Sequence, residues 1–248
     1  MFRPAFTNKK LVAPQSWQAM PHSEALRAVY EQQLSDIMQQ CFGYHLIKLG
    51  GLSQSLSLKS CPIKHQVSHT YQQNPEGGVV SLPTHLPYRE KSVDAVLMTH
   101  VLDYASDPHQ VLREVDHCLI PNGHLVIVGF NPYSMAGVAR WLPIKKDSAL
   151  HDARFFSRSR VIDWLSLMGY QVTQEKRFLF SELLYSKDLN KTRQWHTHAE
   201  KYLSFFSSVY VIVGKKREYP LSLIKPAWKP VRKFSPVGAS LRVKERNY

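Results

Sequence analysis

Apolar and polar positions alternate along this chain in patterns that mark strands, helices and the turns between them. Val93, Ala95, Val96, Leu97 and Met98 form a nearly continuous apolar run, the signature of a strand covered on both faces. Asp107 follows at an N-cap position, Pro108 takes the first helical position, and Gln110 is placed to return a capping-box hydrogen bond. Val111, Leu112, Val115 and Leu119 then recur on one helical face. Pro121, Asn122 and Gly123 predict a turn, and 125–128 a second buried strand. Strand, crossover helix, strand is the unit of an open α/β sheet.

The flanking segments extend this pattern. Leu26, Val29, Tyr30, Leu34, Ile37 and Met38 fall on one face of a helix predicted over 23–40, placed to cover the sheet or a cleft at its edge. A first strand is expected at 44–49, turning at Gly50-Gly51, and a second between 61 and 73. Beyond the central unit, a short helix is expected at 134–142. Ser157 precedes a better one, with Val161, Trp164, Leu165 and Met168 on its apolar face and Gly169 as its stop. Strands are expected at 170–172 and 207–213. Residues 181–201 have no period and read as an insertion, the natural place for a substrate-shaping loop.

Composition narrows the classes. A chain of 248 residues with 44% hydrophobic content suits one sizeable core with appendages. No stretch reaches the roughly 18 apolar residues of a membrane span, so no membrane role is expected. The N-terminus lacks a signal-peptide core, which favours the cytoplasm. Cys41, Cys61 and Cys118 are widely spaced and read as reduced core thiols. No metal site is expected: His196 and His198 are the tightest histidine pair, without carboxylate or cysteine spacing around them. The net charge of +13 is uneven, with ten Lys and Arg against Glu218 and Glu245 in 215–248. Prolines at 220, 226, 230 and 236 break that stretch, so it reads as a basic tail. Such a tail is either a solvated end or a site for nucleic acid or an acidic partner.

Leu86-Pro87-Tyr88, Ser92-Val93-Asp94, the Asp107-Pro108 helix start and the Pro121-x-Gly123 turn occur in order. Together they resemble the second half of the class I S-adenosylmethionine-dependent methyltransferase core, in the group called type 11. The resemblance implies a single Rossmann-like domain, a mostly parallel seven-stranded sheet with helices on both faces, closed by an antiparallel hairpin. It divides the chain into an N-terminal helical extension (1–43), a methyltransferase-like domain (44–214, recognisable core 44–130) and the tail (215–248). It also implies S-adenosylmethionine as cofactor, with Gly50, Gly51, Leu82, Thr99 and His100 at its positions. The methyl acceptor, unidentified, would meet Asn131 and Tyr133, and His100 would take a proton from it as a general base.

The first half of the core departs from the family. Lys48 stands where an acid ends the first strand, and Leu52 and Gln54 replace two glycines of the turn. The region 61–73 holds no acid for the ribose hydroxyls, Glu76 being the nearest, and Leu82 replaces the Asp that meets adenine. An ammonium at about 5 Å from the cofactor's sulfonium would cost ~3 kcal/mol at an effective dielectric near 20. Lys48 either faces the pocket or turns away from it. Two readings follow: a methyltransferase with a divergent cofactor site, or a catalytically inactive relative that binds a partner or RNA through its tail.

Overall fold

The computed structural model describes residues 5–8, 11–20, 23–72, 78–134, 152–178 and 207–218, with Gly238. The chain divides into two units, Met1–Glu218 and Tyr219–Tyr248, and the sheet with its helices belongs to the first. The short helix expected at 134–142, the insertion at 181–201, the pair His196 and His198, and Glu76 lie outside the described residues, as does the tail beyond 218 except Gly238.

Seven strands form one sheet: β1 (His45–Leu49), β2 (His65–Thr70), β3 (Val79–Val80), β4 (Val93–Thr99), β5 (Leu119–Phe130), β6 (Tyr170–Phe178) and β7 (Val209–Lys216). Their spatial order is β3-β2-β1-β4-β5-β7-β6. β1 to β5 pair in parallel, whereas β7 runs antiparallel to both β5 and β6. The order reverses between β1 and β4, so the crevice at their carboxyl ends is the topological switch point where open α/β sheets bind ligands.

Side chains alternate between two cores, as the period of a strand requires. Leu46, Ala95, Leu97, Val126 and Val128 face α1 (Ser23–Met38), which buries Leu26, Tyr30, Leu34, Ile37 and Met38. Ile47, Leu49, Val96, Met98, Leu125 and Ile127 face two further helices, α3 (Pro108–Cys118) and α4 (Arg158–Leu167). One turn of helix, α2 (Gly51–Gln54), follows β1. The described helices thus flank both faces, as expected. Full burial of Val111, Leu112 and Val115 secures the crossover helix, each worth about 1.5–3 kcal/mol.

Local differences from the expected elements have physical causes. Asp107 caps α3 by accepting from the Gln110 N–H at 3.1 Å, but Gln110 Oε1 accepts from the Arg113 guanidinium at 2.7 and 3.1 Å instead of returning the capping-box bond. Leu119 belongs to β5, not α3. The turn expected at Pro121–Gly123 is a bulge within β5, where the pairing shifts from Val93↔Leu119 to Ala95↔His124 and Asn122 takes φ +64°. α1 ends at Met38, and the Gln40 N–H turns back to the Ile37 carbonyl at 3.1 Å. β6 extends to Phe178, and β7 runs through Lys216, past the expected domain edge at 214.

Candidate functional site

The switch-point crevice is built from two strand ends. After β1, Gly50 adopts φ +89°, a conformation natural to glycine, and its N–H donates to the His69 carbonyl of β2 at 2.8 Å. After β4, His100 adopts φ +58°, uncommon for a residue with a Cβ. The two ends are tied together where the Thr99 N–H donates to Ser53 Oγ at 2.8 Å. Gly50, Gly51, Thr99 and His100, all expected at the site, do come together here, lining one space with Tyr71 and Tyr104.

His100 is held from three sides. Its Nδ1 lies 2.9 Å from Asp103 Oδ2 and its Nε2 2.8 Å from the Tyr30 hydroxyl, while its ring stacks on Phe130 at 3.7 Å between centroids. These partners fit the neutral imidazole that donates from Nδ1 and accepts from the tyrosine. Asp103 Oδ2 also accepts from the Phe130 N–H at 3.1 Å, and its Oδ1 is buried without a hydrogen-bond partner. Burial raises the Asp103 pKa above the ordinary carboxylate value, with the His100 and Phe130 hydrogen bonds opposing the shift. Burial likewise raises the Tyr30 hydroxyl well above the usual phenol. A buried, mutually hydrogen-bonded Asp-His-Tyr set beside a switch-point crevice is a candidate proton-handling unit.

Lys48 does not reach across the crevice. Its ammonium donates to the carbonyls of Gln54 at 2.9 Å and Leu56 at 3.3 Å, satisfying orphan acceptors where α2 ends. At the end of β2, His69 occupies the region expected to hold a ribose-binding acid. Its Nε2 meets the Ser81 carbonyl at 3.1 Å and its Nδ1 the Tyr88 hydroxyl at 3.2 Å, and burial lowers its pKa. Leu82 is 60% exposed and is not among the residues lining the space. Asn131 and Tyr133 do not line it either. The Asn131 side chain donates to the Ser207 carbonyl at 2.8 Å and accepts from the Tyr133 N–H at 3.1 Å, joining the end of β5 to the segment before β7.

Residues 11–20, absent from the expected site, cross the crevice. Ala13 and Pro14 join its lining, and the space bounded by the described residues is about 10 Å³, against the 300–1,000 Å³ of typical ligand sites. A Cβ on Gly51 would lie 2.4 Å from the Gln15 carbonyl oxygen, so the segment rests directly on the turn's bare backbone. The bare glycine turn suits S-adenosylmethionine, as does the Thr99 hydroxyl, buried without a partner. The volume bounded by the described residues does not, and no carboxylate stands at positions 48 or 82 or along β2. With residues 13–17 in place the described lining does not fit the cofactor. Of the residues that sequence reasoning missed, Asp103 carried a signal, an acid three positions after His100. Trp17 and Gln15 carried none.

Strand order, the reversed β7 and the β1/β4 crevice define a class I S-adenosylmethionine-dependent methyltransferase fold. Residues 57–127 match the family described as methyltransferase domain. The chain is also 35% identical over 225 residues to the protein YafS of Escherichia coli (strain K12), spanning 89% of this chain and 88% of YafS, and it belongs to that family within the class I methyltransferases. Among solved structures, a SAM-dependent methyltransferase from Archaeoglobus fulgidus is 17% identical with a TM-score of 0.55, covering 77% of this chain and 94% of that one. The [4+2]-cyclase SpnF is 15% identical with a TM-score of 0.54, covering 87% of this chain and 89% of its own. At these identities the likeness is one of fold, and a fold shared with a cyclase does not fix the reaction.

Proposed function

We propose that the protein is an S-adenosylmethionine-dependent methyltransferase that binds its cofactor at the carboxyl ends of β1 and β4. The Thr99 hydroxyl carries this reading: it is buried at the switch point without a partner, in a residue that lines the remaining space. A buried polar atom left unpaired costs about 1–3 kcal/mol, which a ligand's hydrogen bond would recover. Gly50 and Gly51 present bare backbone beside it. His100, which lines the crevice, is the proton-accepting group in this reading: a proton taken at Nε2, in place of the hydrogen bond from Tyr30, would leave an imidazolium steadied by Asp103. Asn131 and Tyr133 would bound the acceptor side. The free, buried thiols of Cys41, Cys61 and Cys118 suit a reducing compartment such as the cytoplasm. No helix among the described residues is long and apolar enough to cross a membrane.

A second reading, a catalytically inactive relative, is favoured by the missing carboxylates. Its partner, nucleic acid or an acidic protein, would be held by the basic residues of 215–248. Incubating the full chain with methyl-labelled S-adenosylmethionine and fractionated cell extract separates the two. Label passing to one fraction supports the enzyme. Cofactor binding without transfer to any fraction supports the inactive relative.

A further inference from the structure

We propose that residues 11–20 compete intramolecularly for the cofactor crevice, so that the segment must leave before S-adenosylmethionine or its demethylated product enters. The proposal rests on the methyltransferase reading and adds its regulation. A covering lid leaves room beneath itself for a ligand. This segment does not: Ala13 and Pro14 line the same space as Gly50, Gly51, Thr99 and His100, and among the described residues that space is about 10 Å³, room for about one water molecule. The contact is made by backbone on backbone, Gln15 on Gly51, which only a glycine at 51 permits.

The segment is anchored through Trp17 and Met20, both buried in the core beside α1. Ser16 opens a single turn of 3-10 helix by accepting from the Gln18 N–H at 3.2 Å, which presents Trp17 to the protein. The Trp17 indole N–H donates to the Leu52 carbonyl at 3.0 Å, inside α2 itself. Its ring meets Tyr30 edge to face at 4.7 Å, and Tyr30 is the residue bonded to His100. One side chain therefore pins the segment to the glycine turn and also seals the Asp-His-Tyr set. Departure of the segment would uncover both at once.

The test uses the full chain and S-adenosylhomocysteine as probe. Trp17→Ala should bind the probe at least tenfold more tightly than wild type in calorimetry, because less closure free energy opposes binding. In wild type, the probe should speed hydrogen exchange of amides in 11–20. Unchanged or weaker affinity in folded Trp17→Ala would overturn the proposal while leaving the methyltransferase reading intact. So would slowed exchange in 11–20, which would make the segment a lid that closes on its ligand. If Trp17→Ala does not fold, exchange in wild type decides alone. No binding by either protein would overturn both readings together.

Discussion

Asp103→Ala is the substitution whose cost the structure specifies best. The carboxylate is 1% exposed, and its Oδ2 accepts from His100 Nδ1 at 2.9 Å and the Phe130 N–H at 3.1 Å. Removing it leaves two donors in the core without partners. Each buried donor left unpaired costs about 1–3 kcal/mol, about 2–6 kcal/mol for the two, and each kcal/mol lowers the midpoint of a domain this size by roughly 2–4 °C. A fall of about 4–24 °C is expected in thermal unfolding, with Arg27→Ala as control. That residue's exposed pair with Glu31 at 3.0 Å is an (i, i+4) contact worth only about 0.2–0.5 kcal/mol. Asp103→Asn adds a pH signature. Because the folded carboxyl has a raised pKa, the folded state binds the extra proton between the unfolded value, about 3.9, and the folded one. The wild type should therefore lose stability relative to Asp103→Asn as pH rises through that window. An Asp103→Ala midpoint within about 2 °C of wild type, roughly 1 kcal/mol or less, would refute the network as a structural unit.

Other outcomes rest on single contacts. Lys48→Asp should lower urea stability by about 1–3 kcal/mol, because it sets a carboxylate against the Gln54 and Leu56 carbonyls that now receive an ammonium; equal stability would mean that these bonds contribute nothing. Burial lowers the His69 pKa, so the unfolded chain takes up its proton first as pH falls from about 6.5. Stability should drop through that interval, and His69→Gln should flatten the drop when unfolding is measured between pH 7 and pH 5. If the basic end binds RNA, affinity should fall steeply with salt. Neutralising Lys225, Lys229, Arg232 and Lys233 should then make the slope shallower by nearly one unit for each phosphate no longer neutralised. Identical slopes would remove that role.

The sheet is legible in the sequence wherever both faces of a strand are covered. The apolar run of β4 and the Asp107-Pro108 start of α3 identify themselves, because burial and capping each leave a residue-type signature. β6 reads short because Thr173 to Arg177 are polar. It pairs only with β7, so it is an edge strand whose ladder hydrogen bonds need no apolar pattern. His100 and the Gly50-Gly51 turn are legible as a site because strand ends at a switch point recur in this fold. The occupant of the crevice is not. Gln15 and Trp17 act through contacts far along the chain, in a segment with no period to read, and Trp17 reaches Leu52 across 35 positions. Lys48 reads in sequence as a charge that could face a cofactor. Its carbonyl partners, supplied by backbone, have no side-chain signature.

Calorimetric titration of the full chain with S-adenosylmethionine and its demethylated product tests the central claim most directly. Each carboxylate missing from the family's set removes a charge-assisted hydrogen bond worth about 1.5–3 kcal/mol. A dissociation constant of tens of micromolar or weaker is therefore expected, on the order of −6 to −7 kcal/mol at the tighter end. Thr99→Val should weaken it further by leaving the cofactor without that hydroxyl. Absence of heat and of any thermal shift at millimolar cofactor would contradict the assignment of the β1/β4 crevice as a cofactor site.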